Sequence, residues 1–208
     1  MTIQWKPQFV KEDALIAGEE LLFSGYGQIK KLDLQFPLFK GGLSNLVSRE
    51  LYHRPPAVAV LLFDPEQSKV VMVEQIRMGA FSEDNPWLLE IVAGVCDEGE
   101  NRVETAYREV KEETGCTILS LLPIVHYLAS PGISDEKIFI YCAQVVAPIT
   151  GGVHGLAEEG EDIKVHVFSL EEVFELLSLG KIISGPAVVA LQWLKLNYLS
   201  LHFPLHAE

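Results

Sequence analysis

Between Gly94 and Cys116 the chain reads GVCDEGENRVETAYREVKEETGC, and this stretch can fold in few ways. Asn101 with Glu104 three residues on is a capping-box variant that opens a helix, and Gly115 stands where a left-handed residue closes one. The helix so bounded runs from about Arg102 to Thr114, with Val103, Ala106 and Val110 as its apolar stripe. Glu109, Glu112 and Glu113 fall at i, i+3 and i+4, about 5–6 Å apart at Cβ, and are expected opposite that stripe. Like charges so crowded destabilise a helix unless a cation joins them. An oxygen-only donor set suits a hard divalent ion, Mg2+ or Mn2+, better than zinc, and Gly94 suits a loop that passes close to it. The competing reading is an ordinary solvated acidic face.

The flanking sequence supplies a sheet for this helix. Ala57–Phe63 and Val70–Ile76 are dense apolar runs of the kind found in buried strands, joined by a turn at 64–68. Trp87–Val92, Pro123–Leu128, Lys137–Val146 and Asp162–Phe168 are further strand candidates. Ser169 with Glu172 opens one late helix by a capping box, and Pro186 suits the first turn of another. The expectation is an α/β fold: a mixed sheet with helices on its faces. Residues 1–54 differ in texture. Ile29–Phe36 and Leu46–Tyr52 read as strands around a Gly41-Gly42 turn, giving a small antiparallel sheet too slight to stand alone. Arg54-Pro55-Pro56 marks the boundary, so the expected domains are 1–54 and 55–208.

Charge narrows the partners. With 16 Lys+Arg against 29 Asp+Glu, the net charge of −13 argues against general nucleic-acid binding, and an anionic substrate would need local cations or metal. A basic-then-apolar leader is missing from MTIQWKPQFVKEDAL, and no apolar run nears the roughly 18 residues of a membrane span, so a cytoplasmic protein without membrane contact is expected. Cys96, Cys116 and Cys142 show no CxxC pairing and read as reduced thiols. His126, His154 and His166 lack metal-ligand spacing, and no GxSxG elbow offers a nucleophilic serine.

Gly94, five residues, Glu100, seven residues, then Arg108-Glu109-Val110-Lys111-Glu112-Glu113-Thr114-Gly115-Cys116 resembles the Nudix box, G-x5-E-x7-R-E-U-x-E-E-x-G-U with U aliphatic. Cys116 alone departs, at a position where a small apolar thiol can do the same packing. The resemblance implies a Nudix α/β/α sandwich with a mixed sheet, and hydrolysis of a nucleoside diphosphate linked to another moiety. It also implies divalent metal held by Glu109, Glu113 and the Ala93 carbonyl, with Glu112 as a further ligand or outer partner. Glu100 and Arg108 match a structural pair.

The likeness extends beyond the box to bacterial ADP-ribose pyrophosphatases. Pro131 matches their downstream proline; Glu74–Arg77, Pro86–Glu90 and Ala190–Leu194 match elsewhere. Gly151–Val167 matches their acidic catalytic loop, which implies Glu159 as catalytic base and Glu161 as a metal ligand, with Glu158 and Glu161 as other candidates for the base. Arg49 and Arg77 match substrate-binding arginines, while Arg54 reads as a surface charge and Glu74 and Glu90 as ion-pair partners or as groups that support the site's ligands from behind. The resemblance further implies a homodimer in which the N-terminal sheet reaches the partner. The expected reaction is ADP-ribose to AMP and ribose 5-phosphate; a pyrophosphatase for another nucleotide sugar such as GDP-mannose, or a non-catalytic Nudix-like ligand sensor, are the alternatives.

Overall fold

The computed structural model describes residues 5–203, with the side chain of Glu159 outside that description. The chain divides into two compact units, one of residues up to Arg54 together with Leu128–Glu136, the other of Pro55–Tyr127 and the residues from Lys137 onward.

In the first unit, β1 (Leu15–Ser24), β2 (Gln28–Gln35) and β3 (Val47–His53) form an antiparallel sheet in that order. Alternation in the sequence marks β2 and β3 but not β1, because β1 shifts register between Ile16 and Gly18 and again between Leu21 and Phe23. Each shift breaks the period-2 alternation by which a strand is recognised. Leu128–Glu136 joins this unit rather than following its neighbours in sequence. Tyr52 N–H donates to the Ile133 carbonyl at 2.7 Å, and Asp135 accepts from Arg54 N–H at 3.1 Å and lies 2.6 Å from His53 Nδ1.

The second unit is built on β4 (Ala57–Asp64) and β5 (Lys69–Ile76), both buried along nearly their whole length. They pair only near their shared turn, over Leu62–Asp64 with Lys69–Val71, and then diverge. β6 (Trp87–Glu90) takes the freed edge of β5, and β7 (Val92–Val95) that of β4. The single apolar segment expected over 87–92 is thus two strands split at Ile91. After α1 (Arg102–Thr114) come β8 (Ser120–Leu128), β9 (Lys137–Gln144), the short β10 (Val153–His154) and β11 (Ile163–Ser169). The order β10-β11-β5-β4-β9-β8 is antiparallel where β10, β11, β5 and β4 adjoin, and parallel between β4 and β9, which makes the sheet mixed.

Alternation along β4 creates two cores. Val58, Val60 and Leu62 face one side with Ala106 and Val110 of α1. Ala59, Leu61 and Phe63 face the other, with Val173 of α2 (Leu170–Ser178) and Ala187, Ala190, Leu191 and Leu194 of α3 (Gly185–Asn197). Each such large side chain, removed from water, contributes about 1.5–3 kcal/mol. One helix on one face and two on the other give the α/β/α sandwich. No helix among the described residues is long and apolar enough to cross a membrane.

Candidate active site

The helix starts and stops where its caps dictate. Asn101 Oδ1 accepts from Val103 and Glu104 N–H, Glu104 reaches back to Asn101 N–H at 3.1 Å, and Gly115 closes α1 at φ 68°. The phase of its carboxylates is the first surprise. Glu109 and Glu113 are buried together with Ala106 and Val110, whereas Val103 is exposed. At about 100° per residue, Glu113 falls within roughly 20° of Ala106, so the expected opposition of acids and apolar stripe gives way to an interleaved face. The helix presses two carboxylates toward the sheet.

What they meet there comes from β7. Ala93 N–H donates to Glu113 Oε2 at 3.3 Å. Gly94 lies so close to Glu109 that a Cβ at this position would sit 1.7 Å from Oε1. A side chain at 94 and the Glu109 carboxylate therefore exclude each other.

Arg108 fixes the rest. Its Nε and Nη2 grip Glu100 at 3.0 and 2.9 Å, Nη1 donates to Glu109 at 2.7 Å and to Glu112 at 3.2 Å, and Nη2 reaches the Val95 carbonyl at 3.3 Å. Only a planar fork of five donors can serve so many acceptors at once. Glu100 also accepts from Thr105 Oγ1 and Asp97 N–H. The hydrogen bonds from Arg108, ahead of those from Thr105 and Asp97, hold its carboxyl down at about 2. Replacing Arg108 by Ala leaves three carboxylates without their cation. The expected loss is about 2 kcal/mol in urea unfolding, below the 3–5 of a fully buried pair because the Arg108 side chain keeps 31% exposure; a loss under ~0.5 kcal/mol, in the range of ordinary surface pairs, would contradict the clamp.

Burial has the opposite effect on the inner pair. It raises Glu109, against the pull of Arg108. Glu113 is pushed up to about 8, chiefly by burial and then by the charge of Glu109, with Arg77 and the Ala93 N–H opposing. Glu161 adds to both, since its negative charge raises Glu109 and Glu113 alike. Its loop is folded on itself: Glu161 Oε2 accepts from Leu156 N–H at 3.0 Å, and Gly155, at φ 99°, leaves no room for a Cβ beside Glu161. Gly155 N–H also approaches the Glu112 carbonyl at 3.4 Å, tying this loop to the end of α1.

Among the described residues no three Asp, Glu, His or Cys side chains already stand together as an ion's donor set. Glu109 is engaged by Arg108 and Glu113 by the Ala93 amide. The chemistry of the donors nevertheless fits a hard divalent ion. Two buried carboxylates, disfavoured as anions by burial and by neighbouring acids, are the groups a dication would stabilise, and every candidate donor is oxygen.

The NUDIX domain model matches residues 53–194, most of the chain. The chain belongs to the Nudix family. Within it, the chain is 41% identical over 197 residues to a Haemophilus influenzae protein named ADP-ribose pyrophosphatase, covering 93% of this chain and 91% of that one. It is also 41% identical to the protein of that name from Escherichia coli (strain K12), covering 93% of each. Among solved structures, an "ADP compounds hydrolase" superposes with a TM-score of 0.64 at 21% identity, covering 88% of this chain and 95% of that one, a likeness of fold.

In this Nudix sandwich, the second unit gathers Ala93, Glu109, Glu112, Glu113 and Glu161 around the C-terminal half of α1, with Arg77 near enough to counter Glu113. Arg77 itself is held by Glu90 at 2.7 Å. Arg49, on β3, donates to the Ser48 carbonyl, and Pro131 lies in the turn after β8; both belong to the first unit. Glu158 and Glu159 lie in the short 3-10 turn Ala157–Glu159, ended by Gly160 at φ 73°. The predicted base, Glu159, is the one residue between 5 and 203 whose side chain lies outside the description. Gln75, which the sequence pattern does not single out, is buried with its Nε2 lacking a hydrogen-bond partner among the described residues. A glutamine next to Glu74 at the end of the apolar run 70–73 is the available signal.

Proposed function

We propose that this Nudix protein hydrolyses ADP-ribose to AMP and ribose 5-phosphate with Mg2+, replaceable by Mn2+, as its cofactor. The carrying observation is the buried Glu109–Glu113 pair on the Nudix helix, Glu109 held by the Glu100-anchored Arg108 and Glu113 by the Ala93 amide; the names of relatives 41% identical over nearly the whole chain supply the substrate. Glu109, Glu113, Glu161 and the Ala93 carbonyl would hold the metal, with Glu112 as a further ligand or outer partner. The ion, when bound, offsets the pyrophosphate charge and polarises the attacked phosphorus.

The chain's own part is proton transfer and positioning. Glu159 takes the proton of a water whose oxygen forms the new bond to phosphorus, while the bridging P–O bond breaks and its oxygen leaves on the second phosphomonoester. Arg77 serves the diphosphate as a bidentate donor, and the family resemblance assigns substrate-binding roles to Arg49 and Pro131 of the first unit. Glu159→Gln should lower kcat about 10²–10⁴-fold, the usual worth of a general base, with Mg2+ affinity unchanged. Full turnover would pass the role to Glu158 or Glu161. Phosphate release through added phosphatase from ADP-ribose, GDP-mannose, NADH and diadenosine substrates should put ADP-ribose first; preference for GDP-mannose would overturn the substrate assignment, and no turnover of any would favour a ligand sensor.

The working form in this reading is a cytoplasmic homodimer. β1 is exposed at every position but one and carries Leu15, Ile16, Leu21, Leu22 and Phe23 into solvent. An apolar edge strand of this length needs a cover. Leu21→Asp with Phe23→Asp should shift gel-filtration elution from dimer to monomer; an unshifted dimer would place the contact elsewhere.

A further inference from the structure

On the α1 side of the sheet, beside the start of the helix, lies a cavity of about 530 Å³ that the proposed chemistry does not use. This volume is within the range of small-molecule sites. Arg102 in its wall and Glu113 in the catalytic half are eleven residues apart on α1, about 16 Å along the axis, so the two sites are distinct.

The wall is unusual for so acidic a chain. It carries Arg102, Lys137 and His126 and no carboxylate, in a protein with 29 acids and 16 bases. Among the described residues neither Arg102 nor Lys137 makes an ion pair. The Arg102 guanidinium lies over the Phe139 ring, 3.6 Å from its centroid, and the His126 ring stacks on Phe139 at 5.3 Å and 22°. The ring takes up one face of the guanidinium and leaves its in-plane N–H donors without an acceptor among the described residues. Tyr141 adds a half-buried hydroxyl, and the Pro123–Val125 stretch of β8 an apolar wall. A fixed fork, a mobile ammonium and an imidazole converge beside apolar surface.

We propose that this cavity is a second, non-catalytic site for a small phosphate ester, whose phosphate is gripped by Arg102 and Lys137 and whose organic part rests against β8. Arg supplies the bidentate contact and Lys the point charge that phosphate recognition combines. The space exceeds what a bare phosphate fills, which assigns the remainder to an organic group.

The test titrates AMP, ribose 5-phosphate and inorganic phosphate into the full chain in EDTA, so that no divalent ion holds them at the catalytic carboxylates. Heat release and the His126 ring resonances are followed together. At least one ester should bind with one site per chain, more tightly than inorganic phosphate, and shift the His126 signals. Arg102→Ser with Lys137→Ser should weaken it at least tenfold while Mg2+-dependent turnover of ADP-ribose persists; Lys137→Ser alone should weaken it less and covers the case in which loss of the Arg102–Phe139 stack unsettles α1. Absence of binding, binding indifferent to these substitutions, His126 signals that do not move, or inorganic phosphate binding as tightly as the esters would each overturn the proposal. Wild-type turnover of ADP-ribose is read separately, so failure of this site and failure of the proposed reaction are distinguishable.

Discussion

Glu113→Gln is expected to lower turnover and raise the stability of the metal-free protein at the same time. Turnover should fall about 10²–10³-fold, the loss seen when one preorganised charge-stabilising group is removed from an active site. Stability moves the other way because Glu113 is 2% exposed and its carboxyl is pushed up to about 8 from an ordinary 4.5. A carboxyl raised on folding binds its proton more tightly in the native state. Its contribution is therefore complete below the ordinary value and is lost as pH climbs through about 8. Glutamine does not titrate, so at pH 9 in EDTA the variant should melt higher than wild type by about 2–4 °C, the shift that ~1 kcal/mol produces in a chain of this size. Mg2+ should then raise the wild-type melting temperature and leave the variant nearly unmoved. Equal melting of the two metal-free proteins across pH 5–9 would show that the buried carboxyl carries no such cost.

Gly94→Ala tests the same site from the sheet. Its new Cβ would lie 1.7 Å from Glu109 Oε1 and 1.9 Å from Cδ, where contacts below 3.0 Å essentially never occur. The Glu109 carboxylate must withdraw by more than an ångström, and displacement on that scale costs on the order of 10²-fold in rate. Because the clashing atoms end a flexible side chain, the fold should lose only about 1 kcal/mol. Near-normal kcat in this variant would mean that Glu109 works from another position.

How much of this could be read from the amino-acid string differs from element to element. The bounds of α1 follow from Asn101, Glu104 and Gly115, whose capping chemistry is local and needs no tertiary partner. The acids of α1 are equally legible in spacing, but their burial is not: an expected face of Glu109 and Glu113 opposite Ala106 overlooks that Glu113 is nearly in phase with it. β1 was hidden by two register shifts, and β6 and β7 by an apolar run whose division at Ile91 depends on the divergence of β4 from β5. That divergence is a property of the sheet. The multiple grip of Arg108 needed three dimensions as well, because a sequence match to Glu100 says nothing of Glu109 and Glu112 sharing the same guanidinium. The cavity beside Arg102 is built by residues from α1, β8 and β9 with no common motif, and no linear pattern announces it.

The most direct measurement is product analysis of ADP-ribose incubated with the full chain, once in Mg2+ and once in EDTA. In wild type AMP and ribose 5-phosphate should appear in equal amounts with Mg2+ and cease to form in EDTA, and in Glu113→Gln the Mg2+-dependent yield should be about 10²–10³-fold lower. Undiminished hydrolysis in EDTA, or products other than these two phosphomonoesters, would contradict the assignment of the buried Glu109–Glu113 pair to a metal-dependent ADP-ribose hydrolase.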